Sequence, residues 1–146
     1  MNLNDLKNTI DAGEGEMAEF KTSINDEVVE TLVAFSNVRG GSVFIGVGDD
    51  ASIKGIQIGK ETITNWINEI KNKTTPSIIA EVTLHSLEEK TIAEISVIEY
   101  PIKPVSFKGK YYRRISKSNH LMDIDEIANE HLKTLNSSWD YFPDPY

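Results

Sequence analysis

The chain has no cysteine and only three histidines among its 146 residues. The lack of cysteine excludes disulfides and thiolate metal sites, and it suits a reducing compartment. No apolar run approaches the ~18 residues of a membrane span, and no basic region followed by an apolar run opens the chain. We therefore expect a cytoplasmic protein with no membrane partner, in which any metal is bound by oxygen or imidazole ligands.

One stretch of the chain has no acidic residue. The whole sequence holds 15 Lys and Arg against 23 Asp and Glu, a net charge of -8, and an even spread of that charge would repel a polyanion. Between Tyr100 and Met122, however, every charged side chain is basic, which leaves about -14 on the remaining chain. We call this stretch the basic segment. Its six cations are Lys103, Lys108, Lys110, Arg113, Arg114 and Lys117.

Length and periodicity predict one α+β domain. An apolar share of 39% in 146 residues suits a single core. Apolar residues at helical spacing predict four helices, over about residues 1–12, from a cap at Ser23 or Asn25 to Asn37, from Ile63 to before Pro76, and from Ile124 to Leu135. Alternation and β-branched runs predict strands at Glu14–Lys21, Ser42–Gly48, Ile53–Ile58, Ile78–Leu84, Ala93–Val97 and Tyr111–Ser116.

These elements predict a mixed, mainly antiparallel sheet with the helices packed on it. The strand Ser42–Gly48 is expected at its centre, with Ile53–Ile58 as its hairpin partner. Asp123 and Glu126 have capping-box spacing at the start of the last helix, whose apolar face is formed by Ile124, Ile127, Ala128, Leu132 and Leu135. Residues 1–136 are expected to form the domain, and residues 137–146 a tail that begins a missing downstream region.

The basic segment contains a predicted hairpin strand with cations beside tyrosines. Alternation puts Lys110, Tyr112 and Arg114 on one face and Tyr111, Arg113 and Ile115 on the other. Cations neutralise phosphate and aromatic rings stack on unpaired bases, so this pattern suits nucleic acid. A solvated edge hairpin is the alternative, because lysine on an edge strand discourages aggregation. The pattern alone leaves both open.

Acidic residues near the start of the chain and after the central strand form a second candidate site. They are Glu14, Glu16, Glu19, Asp49 and Asp50. Two or three carboxylates meeting at one point hold Mg²⁺ or Mn²⁺ and activate water against a phosphodiester. The alternative is a set of solvated carboxylates, with Asp49-Asp50 serving as a turn. No phosphate-binding loop is present, because the glycines after Arg39 lack a following Gly-Lys-Ser/Thr ending.

Several of these motifs together resemble the Schlafen AlbA-like domain family. They are Glu14 with Glu19-Phe20-Lys21, Ala34-Phe35-Ser36-Asn37, the run Gly40 to Val47 (GGSVFIGV), Asp49-Asp50, Ile53-Lys54-Gly55 and the run Tyr111 to Ser116 (YYRRIS). The resemblance covers the chain from about Glu14 to Leu135.

The resemblance implies an α+β nucleic-acid-binding domain, found mostly at the front of bacterial transcriptional regulators. Its contacts to DNA or RNA would fall on the basic segment and need no cofactor. The predicted contact residues are Lys103, Lys108, Lys110, Tyr112, Arg113, Arg114 and Lys117.

The same resemblance implies an alternative function, a metal-dependent endoribonuclease. In animal Schlafen proteins an acidic trio cuts structured RNA such as tRNA with the help of a metal ion. Carried over by position, the trio falls on Glu14, Glu19 and either Asp49 or Asp50, with Mg or Mn as the cofactor. Those proteins bind RNA between two such lobes of one chain. This chain has a single lobe, so it would need to form a homodimer to bind RNA in that way.

Overall fold

The computed structural model describes residues 2–139, with the side chains of residues 2–136. The helices are α1 (Leu3–Ala12), α2 (Asp26–Ser36), α3 (Thr62–Lys73) and α4 (Ile124–Trp139). The strands are β1 (Ala18–Lys21), β2 (Gly40–Ile45), β3 (Thr74–Thr75), β4 (Glu81–Leu87), β5 (Lys90–Ile98), β6 (Ser106–Phe107), β7 (Lys110–Ile115) and β8 (Ser118–Leu121). The predicted α+β class is confirmed, and α4 runs past the expected boundary at residue 136.

The strands form two sheets of four. In the first, the order is β1-β2-β5-β4, and only the pairing of β1 with β2 is parallel. In the second, the order is β3-β6-β7-β8, and every pairing is antiparallel. The mainly antiparallel character and the central position of β2 agree with the prediction.

Helix α2 packs against strands of both sheets and supplies much of the core. Its start is fixed by Asn25, one of the two predicted caps, whose side-chain oxygen accepts the Val28 N–H at 3.2 Å. Its buried apolar residues include Val28, Val29, Leu32, Val33 and Phe35. Because α2 has apolar side chains almost all round, it is suited to a position between two sheets.

The opposite face of the first sheet is covered by α1. Leu6 and Ile10 of α1 are buried with Phe20 and Phe44, whose rings meet edge to face with centroids 6.2 Å apart. Strand β1 therefore has both faces covered, with Phe20 on the α1 side and Glu19 buried on the other. Although it is acidic, Glu19 is only 9% exposed.

The predicted hairpin partner of β2 is not a strand. Between Ile53 and Ile58 only the bridge from Ile53 to Val47 forms. The reason is that β2 already has β1 on one edge and β5 on the other, so no edge is left. Instead the chain turns back at Gly46, which has φ +105, and its carbonyl accepts the N–H groups of Lys54 and Gly55.

Other strand limits also differ from the prediction. The residues Glu14 to Met17 precede β1 as a turn instead of opening it, and β4 begins at Glu81 instead of Ile78. Strand β8 was not predicted, because Ser-Asn-His-Leu shows no clear alternation of apolar and polar residues. The turns at Glu88-Glu89 and Lys108-Gly109 have positive φ at all four residues.

Helix α4 has the predicted cap but the opposite orientation. The Asp123 carboxylate accepts the Glu126 N–H at 2.8 Å, as a capping residue does. The predicted apolar face points to solvent, with Ile124, Leu132 and Leu135 all more than half exposed. Polar contacts from elsewhere in the chain decide this orientation: Glu126 pairs with Arg113, and Thr134 bonds the backbone of Lys103. Within residues 2–139 no helix combines the length and the apolar character of a membrane span.

Candidate functional site

The inward side of β7 carries a buried arginine whose donors are already used. Only 1% of the Arg114 side chain is exposed. Its Nε and Nη2 donate to the Gly15 carbonyl at 3.1 and 3.0 Å, Nη2 also to the Ala18 carbonyl at 3.2 Å, and Nη1 to Asn119 Oδ1 at 2.8 Å. The guanidinium also lies 5.0 Å from the centroid of the Phe35 ring. Arg114 therefore ties the second sheet to the turn before β1.

The acidic partner of this arginine is Glu19, which also contacts the carboxyl group of Glu14. Arg114 Nη2 lies 2.5 Å from Glu19 Oε2, and the Glu19 and Glu14 side chains are hydrogen-bonded to each other. Glu14 also accepts the backbone N–H of Phe20 at 3.0 Å. Two predicted site residues, five positions apart in sequence, are thus brought together.

The two carboxyl groups have opposite pKa shifts. Burial and the hydrogen bond to Glu14 raise the pKa of Glu19 to about 7, although the Arg114 charge acts against this. Burial acts to raise the pKa of Glu14 too, but hydrogen bonds from Glu19 and the Phe20 N–H, with the nearby Arg114 charge, hold it below its usual value. Below about pH 7 the pair therefore holds one proton, and Glu19 carries it.

A groove lies beside this pair, between β1, α2 and the turn that joins β7 to β8. Its volume is about 300 Å³, and its walls are formed by Glu19, Lys21, Glu27, Glu30, Thr31, Arg114, Lys117, Ser118 and Asn119. A neighbouring cavity of about 260 Å³ is lined by Lys21, Thr22, Ser23, Asn25, Glu27 and Asp49. The ion pair between Lys21 and Glu27, 2.7 Å long, belongs to both walls.

The predicted acidic trio does not meet at one point. Asp49 lines the second cavity, whereas Glu19 lines the first. The Asp50 carboxylate is turned to its own loop, where it accepts the Ser52 N–H at 3.1 Å and the Ser52 hydroxyl. No three His, Asp or Glu side chains in the described part of the chain are grouped to hold a metal ion. With Glu19 already paired to Arg114, this donor set does not fit a metal in the conformation seen here.

Most other cations of the basic segment are paired with acids from distant parts of the chain. Lys103 pairs with Glu99, Lys108 with Asp26 at 2.9 Å, and Arg113 with Glu126 at 2.9 Å. Lys110, at the start of β7, and Lys117, in the turn that follows it, have exposed side chains with no hydrogen bond or ion pair within residues 2–136. The stretch that is free of acids in sequence is therefore largely neutralised in space.

Tyr112 is buried beside Arg114, and its hydroxyl donates to Glu30 Oε1 at 3.2 Å. The geometry does not favour the prediction that Tyr112 and Arg114 contact nucleic acid directly, because neither side chain has a free surface.

Asn37, whose role the sequence did not reveal, holds β7 in place through hydrogen bonds to the backbone. The buried Asn37 donates from Nδ2 to the carbonyls of Val105 and Tyr112 at 2.9 and 2.8 Å, and its Oδ1 accepts the Val105 N–H at 2.7 Å. It thereby fixes β7 and the chain before β6 to the end of α2. The available signal was the Ala-Phe-Ser-Asn motif itself, since an asparagine after an apolar helix is often a cap or a bridge.

The structure belongs to the class of α+β domains. Helix α2 packs against both of its sheets, which are mainly antiparallel. A family model described as Schlafen, AlbA_2 matches residues 14–123, which is most of the chain. The chain therefore belongs to the Schlafen AlbA_2 family, as its motifs predicted. No curated protein matches the sequence.

Several solved structures share the fold. The DIP2311 protein from Corynebacterium diphtheriae is 15% identical with a TM-score of 0.62; the match covers 74% of this chain and 22% of that protein. The N-terminal domain of an ATP-dependent DNA helicase RecG-related protein from Nitrosomonas europaea is 23% identical with a TM-score of 0.58, and the match covers 82% of this chain and 92% of that domain. This chain thus spans less than a quarter of the DIP2311 protein.

Proposed function

We propose that this domain binds nucleic acid through the exposed cations of the basic segment, mainly by phosphate contacts. Membership of the Schlafen AlbA_2 family supports this proposal, and one similar structure comes from a protein related to a DNA helicase. The observation that carries it is the pair Lys110 and Lys117, two exposed lysines at the start of β7 and in the turn after it, with no acidic partner among residues 2–136. Within this proposal the domain is the nucleic-acid-binding part of a transcriptional regulator.

The paired cations differ in how easily a phosphate could take them over. Exposed ion pairs contribute only about 0 to 1 kcal/mol, so Lys108 and Arg113 can exchange their carboxylates for phosphates at little cost. Arg114 cannot do so, because its release would leave the Gly15 and Ala18 carbonyls and Glu19 without their buried donor. In this proposal Lys108, Lys110, Arg113 and Lys117 contact phosphates, while Arg114 and Tyr112 hold the hairpin in place.

The expected binding is weak and strongly dependent on salt. Four cations that each neutralise one phosphate predict a slope of log K against log salt of about -3 to -4. The net charge of -8 acts against association with a polyanion. Affinity should therefore fall steeply between about 50 and 200 mM salt.

Fluorescence anisotropy with labelled duplex DNA and single-stranded RNA tests this proposal. The double substitution Lys110→Ala with Lys117→Ala is expected to reduce the salt slope by about 2, since each phosphate contact contributes ~0.9. The control is Lys7→Ala with Lys71→Ala, which removes the same charge from exposed lysines of α1 and α3. Equal losses in both double variants, or no binding at low salt, would exclude the proposed surface.

The endoribonuclease is kept as a second candidate on one observation. Glu14 and Glu19 lie at the spacing that the resemblance implies and are hydrogen-bonded to each other. Asp49, the third carboxylate of the predicted trio, does not lie beside Glu14 and Glu19. The nuclease function therefore requires Asp49 to move past the Lys21–Glu27 ion pair.

Its test is incubation with tRNA and Mn²⁺, with and without a chelator. Cleavage that requires the metal and disappears in Glu19→Gln would support the enzyme. Cleavage that persists in this variant would point to a contaminating nuclease, and no cleavage at all would leave binding as the function.

A further inference from the structure

The two sheets end in four edge strands, and one of them differs from the other three. Strands β1, β3 and β8 have only four, two and four residues. Strand β4 has seven residues and pairs with β5 along one side only. The N–H and C=O groups of β4 that point away from β5 have no partner in the part of the chain described.

Strand β4 also lacks three of the features that normally protect an exposed edge. Edges are usually kept apart by lysine, proline, a bulge or a covering element. The sequence of β4 is Glu-Val-Thr-Leu-His-Ser-Leu, which contains neither lysine nor proline, and its register with β5 runs without a bulge. Leu84, at its midpoint, is 43% exposed. Such an edge is a template for another strand.

We propose that β4 pairs with β4 of a second copy of this chain, antiparallel and with Leu84 on the two-fold axis. This pairing joins the two first sheets into one sheet of eight strands. The strand is self-complementary in this register: Leu84 faces Leu84 of the partner, Val82 faces Ser86, and Thr83 faces His85. Its one carboxylate, Glu81, falls opposite Leu87, so no like charges are opposed.

The expected dimer is weak. A single pair of seven-residue strands buries less surface than the ~1,200 Å² of a standard interface, so dissociation in about the micromolar range or above is expected. Strand β4 lies at one edge of the first sheet. Strand β1, which lines part of the candidate groove, lies at the opposite edge. Dimerisation therefore does not depend on the proposed nucleic-acid binding.

Sedimentation velocity over a wide range of concentrations tests the proposal. We expect a concentration-dependent dimer for the unmodified chain and at least about tenfold weaker association for Leu84→Lys, because two lysines then meet on the axis. Ile98→Lys is the matched control, since Ile98 is 70% exposed at the far end of β5 and should leave the dimer unchanged. A chain that stays monomeric, or a dimer that tolerates Leu84→Lys, would overturn the proposal.

A mixing experiment separates this pairing from other modes of association. Leu84→Glu should be as monomeric as Leu84→Lys, yet an equal mixture of the two should associate because opposite charges then face each other. In the unmodified chain, hydrogen exchange at the amides of β4 should slow as the concentration rises. If the mixture stays monomeric, or if the exchange is independent of concentration, β4 is not the interface.

Discussion

Arg114 and Lys110 lie four residues apart on the same strand and carry the same charge, yet their surroundings are opposite. Arg114 is buried, and every nitrogen of its guanidinium donates to a backbone or side-chain oxygen. Lys110 is exposed and has no partner within residues 2–136. The difference shows that the basic segment contains two kinds of cation. One holds the fold together, and the other is available to a ligand.

The largest expected effect is the loss of the buried cation. Arg114→Met should lower the free energy of unfolding by about 3 to 5 kcal/mol, because the Gly15 and Ala18 carbonyls, Asn119 and Glu19 all lose a buried donor. Urea denaturation measures this change. Lys110→Met is the matched control and should stay within about 0.5 kcal/mol of the unmodified protein. Equal effects of the two substitutions would remove the distinction between the two kinds of cation.

The inward side of β7 can also be tested without changing a charge. Asn37→Ala leaves one N–H and two carbonyl groups buried without a partner, which predicts a loss of about 2 to 3 kcal/mol in urea denaturation. Asn129→Ala, on the exposed side of α4, is the control and should change stability by less than about 0.5 kcal/mol. A small effect at Asn37 would mean that water satisfies these groups.

Much of the fold could be predicted because local patterns determine it. Helical spacing identified all four helices among residues 2–139, and β-branched runs identified the central strand. The pairing of Ile53–Ile58 with that strand was wrong because β1 and β5, from distant parts of the sequence, take both edges. The orientation of α4 also depends on distant residues, since Arg113 and Lys103 fix its polar side toward the domain.

The candidate site could be predicted only in part, for a related reason. The sequence left open whether the carboxylates of Glu14 and Glu19 meet; they are hydrogen-bonded because both lie in one short turn and strand. The charge of the basic segment was overestimated, because Asp26, Glu99 and Glu126 approach it from elements that the sequence count treats separately. A run of like charge in a sequence therefore indicates a surface of that charge only where no other element supplies counter-charges.

The contribution of Glu19, the buried partner of Arg114, to the stability of the protein should also depend on pH. Glu19 titrates near its ordinary value of 4.5 in the unfolded chain and at about 7 in the folded protein. Between these values the folded protein keeps a proton that the unfolded chain has released, so this contribution to stability is complete below pH 4.5 and is lost as the pH rises through about 7. The lowered pKa of Glu14 acts below this window, where acid removes its contribution.

Glu19→Gln tests this behaviour, because glutamine resembles the protonated carboxyl group and cannot titrate. The stability of the variant relative to the unmodified protein should rise as the pH increases from about 5 to 8, measured by urea denaturation at several pH values. Parallel pH profiles for the two proteins would mean that Glu19 does not hold the shared proton.

The smallest effect is expected at an exposed cation that does have a partner. Lys108 pairs with Asp26, which also accepts a hydrogen bond from Lys73 at 2.9 Å, so Lys108→Ala leaves that carboxylate with a second cation. Exposed pairs are screened by salt and contribute little, so no resolvable change in the urea midpoint is expected. Nucleic-acid binding should weaken instead, with the salt slope reduced by about 1. A clear loss of stability without a change in slope would place Lys108 with Arg114 among the cations that hold the fold.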